Sequence, residues 1–216
     1  MVRKLVVTAA ALGLGLGLST TASAQSVVVG GELGLNVANV SAEAEVFGVN
    51  TDSKTGFWGG LFAEFAVAKM FAVRPEVLYT NKGFKVSDDT GELKVSTNYI
   101  QIPLLLEAVI PIEGSPVRPA LYAGPAVGFE TSCNFSASAG GVSGSTSCDD
   151  AGLEPRASTV WSLIFGGQVG AMVGKVIPFV GIRYDLGLTN LDTSDDPDSV
   201  KGRTWTFYVG AGVPVK

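Results

Sequence analysis

From residue 26 onward the chain alternates apolar and polar residues with a period of two. The stretch GIRYDLGLTNL, Gly181 to Leu191, shows the pattern. Side chains of an extended strand point alternately to opposite faces. Ile182, Tyr184, Leu186 and Leu188 therefore share one face, while Gly181, Arg183, Asp185, Gly187 and Thr189 share the other. The same period predicts strands over 26–39, 56–66, 70–83, 95–109, 117–129, 158–172, 176–190 and 202–213. No helical period competes after the first 25 residues. AVAKMFAVRPE and MVGKVIPFVGI resemble each other as two hairpins would, each crossing a short turn that contains a lysine.

Connections alternate in length. Residues 40–55, 84–94, 130–157 and 191–201 read as long polar loops, and the turns near Lys69, Glu113 and Lys175 as short ones. Antiparallel strands joined in this way place every long connection at one end. That asymmetry and the even strand count predict an all-β fold, an eight-stranded antiparallel up-and-down transmembrane β-barrel.

Charge sharpens the prediction. Of the 20 acidic residues, 14 fall in the four long loops and Glu113 in a short turn. The other five are Glu32, Glu64, Glu76, Glu107 and Asp185, all on the polar faces of strands, where Arg74, Arg118 and Arg183 join them. The opposite faces carry residues such as Leu33, Leu61, Val77, Leu104, Leu121, Ile182 and Phe207. An Arg or Lys facing lipid at mid-bilayer costs roughly 2–4 kcal/mol. These eight charged residues are therefore expected to line the lumen as a structural ion-pair network. Eight strands enclose just enough space for side chains to fill, which predicts a plugged lumen. Tyr79, Phe129, Trp161, Tyr184 and Trp205 lie toward the loop end and Phe71 toward the turn end, as aromatic girdles would.

A soluble lipocalin-like carrier of an apolar ligand would turn the same strands inside out. The polar face argues against it: Gly124, Gly128, Gly166 and Gly210 sit among the charges, and no Lys occupies a strand middle, whereas water-facing strands use Lys freely.

Composition agrees. Hydrophobic residues make up 46 % and charged residues 16 %, against about 25 % charged in ordinary soluble domains. At the N-terminus, Arg3 and Lys4 precede LVVTAAALGLGLGL and then Ala22-Ser23-Ala24. This is the layout of a cleaved signal peptide over 1–24, leaving a barrel domain over 25–216. Cys133 and Cys148 flank the Ser/Gly-rich NFSASAGGVSGSTS, and in an oxidising compartment they are expected to form a disulfide.

Candidate chemistry is sparse. The chain has no His, which removes Ser-His-Asp and Cys-His catalysis and the commonest zinc ligand. Lumen carboxylates such as Glu32, Glu64 and Glu107 could do acid/base work, but an ion-pair network accounts for them. LDTSDDPDS (191–199) concentrates Asp192, Asp195, Asp196 and Asp198 without EF-hand spacing or its glycine. No catalytic residue, metal site or cofactor is expected, and the net charge of -5 argues against nucleic acid.

RPEVLYTNKGFK (74–85), YIQIPLLLEA (99–108), RPALYAGPAVGF (118–129), IFGGQVG (164–170) and GIRYDLGLTNL (181–191) together resemble the PorT-like outer-membrane β-barrel family. The resemblance implies an eight-stranded barrel in the bacterial outer membrane and little about activity. Pro75, Pro103, Pro119, Pro125 and Pro178 fall within the expected strands, where each removes a ladder donor, so bulges or strand ends are expected there. The functional expectation is a non-enzymatic barrel with a structural or surface-interaction role through acidic external loops. A small pore or transport accessory is the alternative. Expected partners are outer-membrane lipid, the outer-membrane assembly machinery and an extracellular or envelope protein met through the loops.

Overall fold

The computed structural model describes residues 27–42, 52–87, 91–140, 142–152, 156–191 and 200–215. The expected signal peptide over 1–24 lies outside them. Nine strands follow in chain order: β1 (Val27–Ala42), β2 (Asp52–Ala66), β3 (Phe71–Ser87), β4 (Gly91–Val109), β5 (Val117–Ala139), β6 (Val142–Ser147), β7 (Thr159–Ala171), β8 (Ile177–Gly187) and β9 (Val200–Val215). Every pairing is antiparallel. The sheet runs β4-β3-β2-β1-β9-β8-β7-β5, and a β4–β5 pairing joins its ends. Eight strands thus form a closed ring. Closure leaves no sheet edge within the ring, which is what hydrocarbon demands of backbone polar groups.

The ninth strand corrects the reading of 130–157 as loop. β5 continues to Ala139, turns at Gly140 (φ 58°) and returns as β6, which pairs with β5 alone from Asn134↔Ser147 to Ala139↔Val142. Small Ser, Gly and Ala side chains hide the period-two signal there. Residues 84–94 are likewise no long loop, because β3 and β4 pair from Ser87↔Glu92 downward as one long hairpin. β1, β2 and β9 also reach into segments expected to be loops, pairing as far as Ala42↔Val200. Strand walls therefore stand well above the apolar belt.

The two faces sort as the alternation predicts. Leu61 is 69 % exposed and Leu121 61 %, whereas Arg74 and Leu78 are fully buried. Outward apolar residues run from Val29, Phe65, Phe71 and Val213 near the short turns to Tyr79, Phe129, Trp161 and Trp205 near the opposite end. Contiguous exposed apolar surface on this scale marks contact with lipid. Phe179 points inward and is buried.

The prolines correct a second expectation. Pro75, Pro103, Pro119, Pro125 and Pro178 all lie inside strands. Around three of them the ladder skips pairs while keeping its register. The β2–β3 pairing jumps from Phe62↔Glu76 to Phe65↔Val73, β3–β4 from Pro75↔Leu104 to Leu78↔Gln101, and β4–β5 from Pro103↔Ala126 to Leu106↔Ala123. No bulge forms at these gaps. They lie side by side across three neighbouring strand pairings.

Candidate lumen site

Inward parity delivers the charged residues to one place. Arg74 of β3 and Arg183 of β8 face each other across the ring with Glu32 of β1, Glu76 of β3 and Glu107 of β4 around them, all buried. Arg74 Nη2 lies 2.5 Å from Glu32 Oε2, its Nε 2.8 Å from Glu76 Oε1 and its Nη1 3.4 Å from Glu107 Oε2. Arg183 donates from Nη1 to Glu76 Oε2 at 2.8 Å and from Nη2 to Glu76 Oε1 at 3.2 Å, a bidentate fork. Its Nη2 also lies 3.6 Å from Glu32 Oε1. Gln168 bridges the set, accepting from Arg74 Nη1 at 3.0 Å and donating to Glu107 Oε1 at 3.1 Å.

Aromatic rings close over these charges. The Arg74 guanidinium sits 4.0 Å above the Phe62 ring, and that of Arg183 sits 4.5 Å above Trp58. Tyr122 and Tyr208 share a 2.6 Å hydroxyl hydrogen bond beside them. Glycines on facing strands make the room. A Cβ at Gly181 would strike the Tyr208 ring, and one at Gly210 the Phe179 ring. Gly166, Gly181 and Gly210 are therefore the counterparts of the inward rings of Tyr122, Tyr208 and Phe179. At the short-turn mouth, a cavity bordered by Glu64, Arg74, Glu107 and Arg118 holds about 20 Å³, room for a single water.

The remaining expected lumen residues lie apart from this cluster. Glu64 meets Arg118 at 3.5 Å at the short-turn mouth, where the Arg118 side chain is 32 % exposed. Asp185, two residues from Arg183, does not pair with it. Asp185 accepts from Lys82 Nζ at 2.6 Å and from Gln101 Nε2 at 2.7 Å nearer the other end. Lys82 corrects the statement that strand middles lack Lys: β3 runs on to Ser87, so Lys82 lies within it and points inward. Trp58, Phe62, Leu78, Leu105 and Ile164 are further lumen residues that hydropathy assigns to the wrong side. Their parity with Glu64, Glu76, Glu107 and Gly166 was the available signal.

Above the belt, Cys133 and Cys148 form a disulfide that fastens the end of β6 to β5. Beside it Arg156 joins Glu130 at 2.8 Å and Asp149 at 2.6 Å. The hydrogen bonds to Glu130, with the further one to Asp149, hold its guanidinium even more firmly protonated than usual. The acidic segments around Glu43, Glu45, Asp88, Asp89, Glu154 and Asp192 to Asp198 lie outside the described residues. Among the described residues, no group of His, Cys, Asp and Glu side chains is arranged to hold a metal ion.

A closed eight-stranded ring, apolar outside and ionic within, defines an integral β-barrel of the outer-membrane class. Residues 23–193 match the family described as outer membrane protein beta-barrel domain, and the chain belongs to that family. It is a protein of the bacterial outer membrane. Among solved structures, the outer membrane protein OprG from Pseudomonas aeruginosa is similar at 13 % identity and TM-score 0.51, over 88 % of this chain and 95 % of that one. Neisserial surface protein A is similar at 18 % identity and TM-score 0.47, over 88 % and 97 %. Ail of Yersinia pestis, solved with the heparin analogue sucrose octasulfate, is similar at 16 % identity and TM-score 0.41, over 88 % and 99 %. No curated protein matches the chain.

Proposed function

We propose that this barrel is a closed, non-enzymatic outer-membrane protein that acts through its external end as a structural or surface-contact element. The observation that carries this reading is the lumen plug. Two guanidinium groups, three carboxylates and the flanking rings meet across the lumen, which supports a closed barrel over an open pore. The same fixation argues against catalysis: Glu32 and Glu107 are bound to Arg74 and Gln168, and the cavity that Glu107 borders has room for a single water.

What remains accessible is the upper wall, where the β3–β4 hairpin and the β5–β6 hairpin rise above the belt and the disulfide and Arg156 hold the latter in shape. That platform suits an extracellular or envelope protein partner, with the acidic segments contributing charge. Nucleic acid is no partner in this reading, and the assembly machinery serves only insertion. The finer PorT-like kinship rests on the motifs from Arg74 to Leu191.

Two measurements test the proposal. Purified protein in planar bilayers is expected to show no conductance, and steady ion current would favour the pore reading. Crosslinkers placed at Val142 or Ser145 in intact cells are expected to capture a protein partner. Absence of surface labelling at both positions would remove the contact role.

A further inference from the structure

Above the apolar belt the strand walls reverse their polarity. Within the belt, β4 turns Ile102 and Leu104 outward and the buried Gln101 inward. Followed upward by the period of two, the outward series of β3 and β4 reaches Lys85, Lys94 and Glu92. The lumen-side series passes instead from Thr97 to Val95 and Leu93 on β4, and from Lys82 to Phe84 and Val86 on β3. Cys133, buried opposite the buried Thr97, shows that β5 shares this side. β5 and β6 then continue it: Phe135 stands opposite Val95, Ala137 opposite Leu93, and Val142 opposite Ala139.

Leu93 on this side is 47 % exposed and Val142 76 %. Lipid covers the exposed apolar residues of the belt, but this face looks toward the barrel axis, away from the bilayer. A second barrel standing in the same membrane cannot reach it for the same reason. Exposed apolar surface that lipid does not cover marks a binding site. Val86, Leu93, Phe135, Ala137 and Val142 line a groove of about 710 Å³. Glu92 at its border belongs to the outward series and pairs with Lys85 at 3.6 Å. Three rows about 7 Å apart on four strands about 4.8 Å apart make a face of roughly 200 Å². That is about a quarter of the ~800 Å² that each partner gives to a stable protein interface. The volume, by contrast, lies within the roughly 300–1,000 Å³ of small-molecule sites. Beneath the groove runs the row of Lys82, Thr97 and Cys133, with Lys82 held by Asp185 at 2.6 Å.

We propose that this groove is a binding site for a neutral, apolar small molecule taken from the external medium. Phe135, Leu93, Val86 and Val142 supply the contact surface. Ala137 and Gly144, directly opposite each other, leave the middle of the face low, so that a ligand lies flat against the sheet. The polar row beneath keeps the ligand on the external side of the plug. The site therefore needs no pore and goes beyond the surface-contact role.

The test uses the full barrel in lipid nanodiscs, with the neutral carbene precursor adamantyl diazirine as probe and peptide mass spectrometry to locate the label. Labelling around Leu93, Phe135 and Val142 is expected to saturate with probe concentration and to be displaced by naphthalene. Labelling of the lipid-facing Leu104 and Leu121 is expected to rise linearly, as partition into the bilayer does. One lost apolar contact in a ligand pocket lowers affinity about 10- to 200-fold. Probe affinity is therefore expected to fall at least about tenfold in L93S/V142S, and to stay unchanged in K94S, on the outward side of the same strand. Both residues of the double variant are exposed, so its unfolding midpoint should match that of wild type, which separates loss of the site from loss of the fold. Linear labelling at every position, or wild-type affinity in L93S/V142S, overturns the site. Capture of a protein by a photo-crosslinker at position 93 in intact cells overturns the small-molecule assignment in favour of a macromolecule.

Discussion

Replacing Arg183 with Ala removes one of the two enclosed guanidinium groups of the barrel. Three carboxylate contacts go with it: the 2.8 Å and 3.2 Å bonds to Glu76 and the 3.6 Å approach to Glu32. So does its stacking over Trp58 at 4.5 Å and beside Tyr208 at 5.1 Å. Charge-assisted hydrogen bonds contribute about 1.5–3 kcal/mol each, and a desolvated cation–π contact about 2 kcal/mol. The relieved cost of burying a guanidinium offsets part of that sum. Breaking a buried pair from one side usually costs about 3–5 kcal/mol. Glu76 keeps Arg74 at 2.8 Å, so its charge is not wholly abandoned, and we expect the lower part of that range, about 3 kcal/mol.

The assay is urea unfolding in lipid vesicles, followed by fluorescence of Trp58 in the lumen and of Trp161 and Trp205 on the lipid face. The midpoint should fall with an unchanged slope, the signature of altered stability rather than altered compactness. Arg183→Met with Glu76→Leu should recover about 2 kcal/mol relative to Arg183→Met alone, since an apolar pair of similar volume replaces a buried ion pair at little net cost. A wild-type midpoint for Arg183→Ala, or strict additivity in the double variant, would falsify the enclosed-pair account.

Three further outcomes follow from the same geometry. Gly181→Val should block folding or destabilise by about 1–3 kcal/mol or more, because its Cβ meets the Tyr208 ring; pairing it with Tyr208→Ala should restore part of the loss in the same unfolding assay. Leu104→Lys, on the outward face of β4 and 53 % exposed, should cost about 2–4 kcal/mol in vesicles and much less in a flexible micelle. Cys133→Ser with Cys148→Ser should speed proteolysis between Gly140 and Ser147 while leaving the ring's midpoint in place, because β6 pairs with β5 outside the closed ring.

The ring and its polarity were legible because burial in lipid enforces strict alternation, and a charge misplaced onto the lipid face near mid-bilayer is costly. Glu32, Arg74, Glu76, Glu107 and Arg183 all declare their side by parity, and the structure gathers these five into one cluster. What parity does not carry is height. Arg183 and Asp185 share a face yet serve different partners, because strand tilt and register decide which residues meet across the lumen. Hydropathy hid the inward aromatics as well, since Trp58 and Phe62 are apolar and only their parity with Glu64 marks them as facing the two Arg side chains. The β6 strand escaped notice because Ser and Gly carry little hydropathy contrast.

The gaps at Pro75, Pro103 and Pro125 bear on how the wall carries load. Neighbouring rungs are absent at one level of β2 through β5, so three of the ring's eight seams lack amide stitching at that level while the others keep theirs. Deuterium should enter the backbone here sooner than at β8 and β9, and lateral pressure from a stiffer bilayer should deform the barrel along this line first.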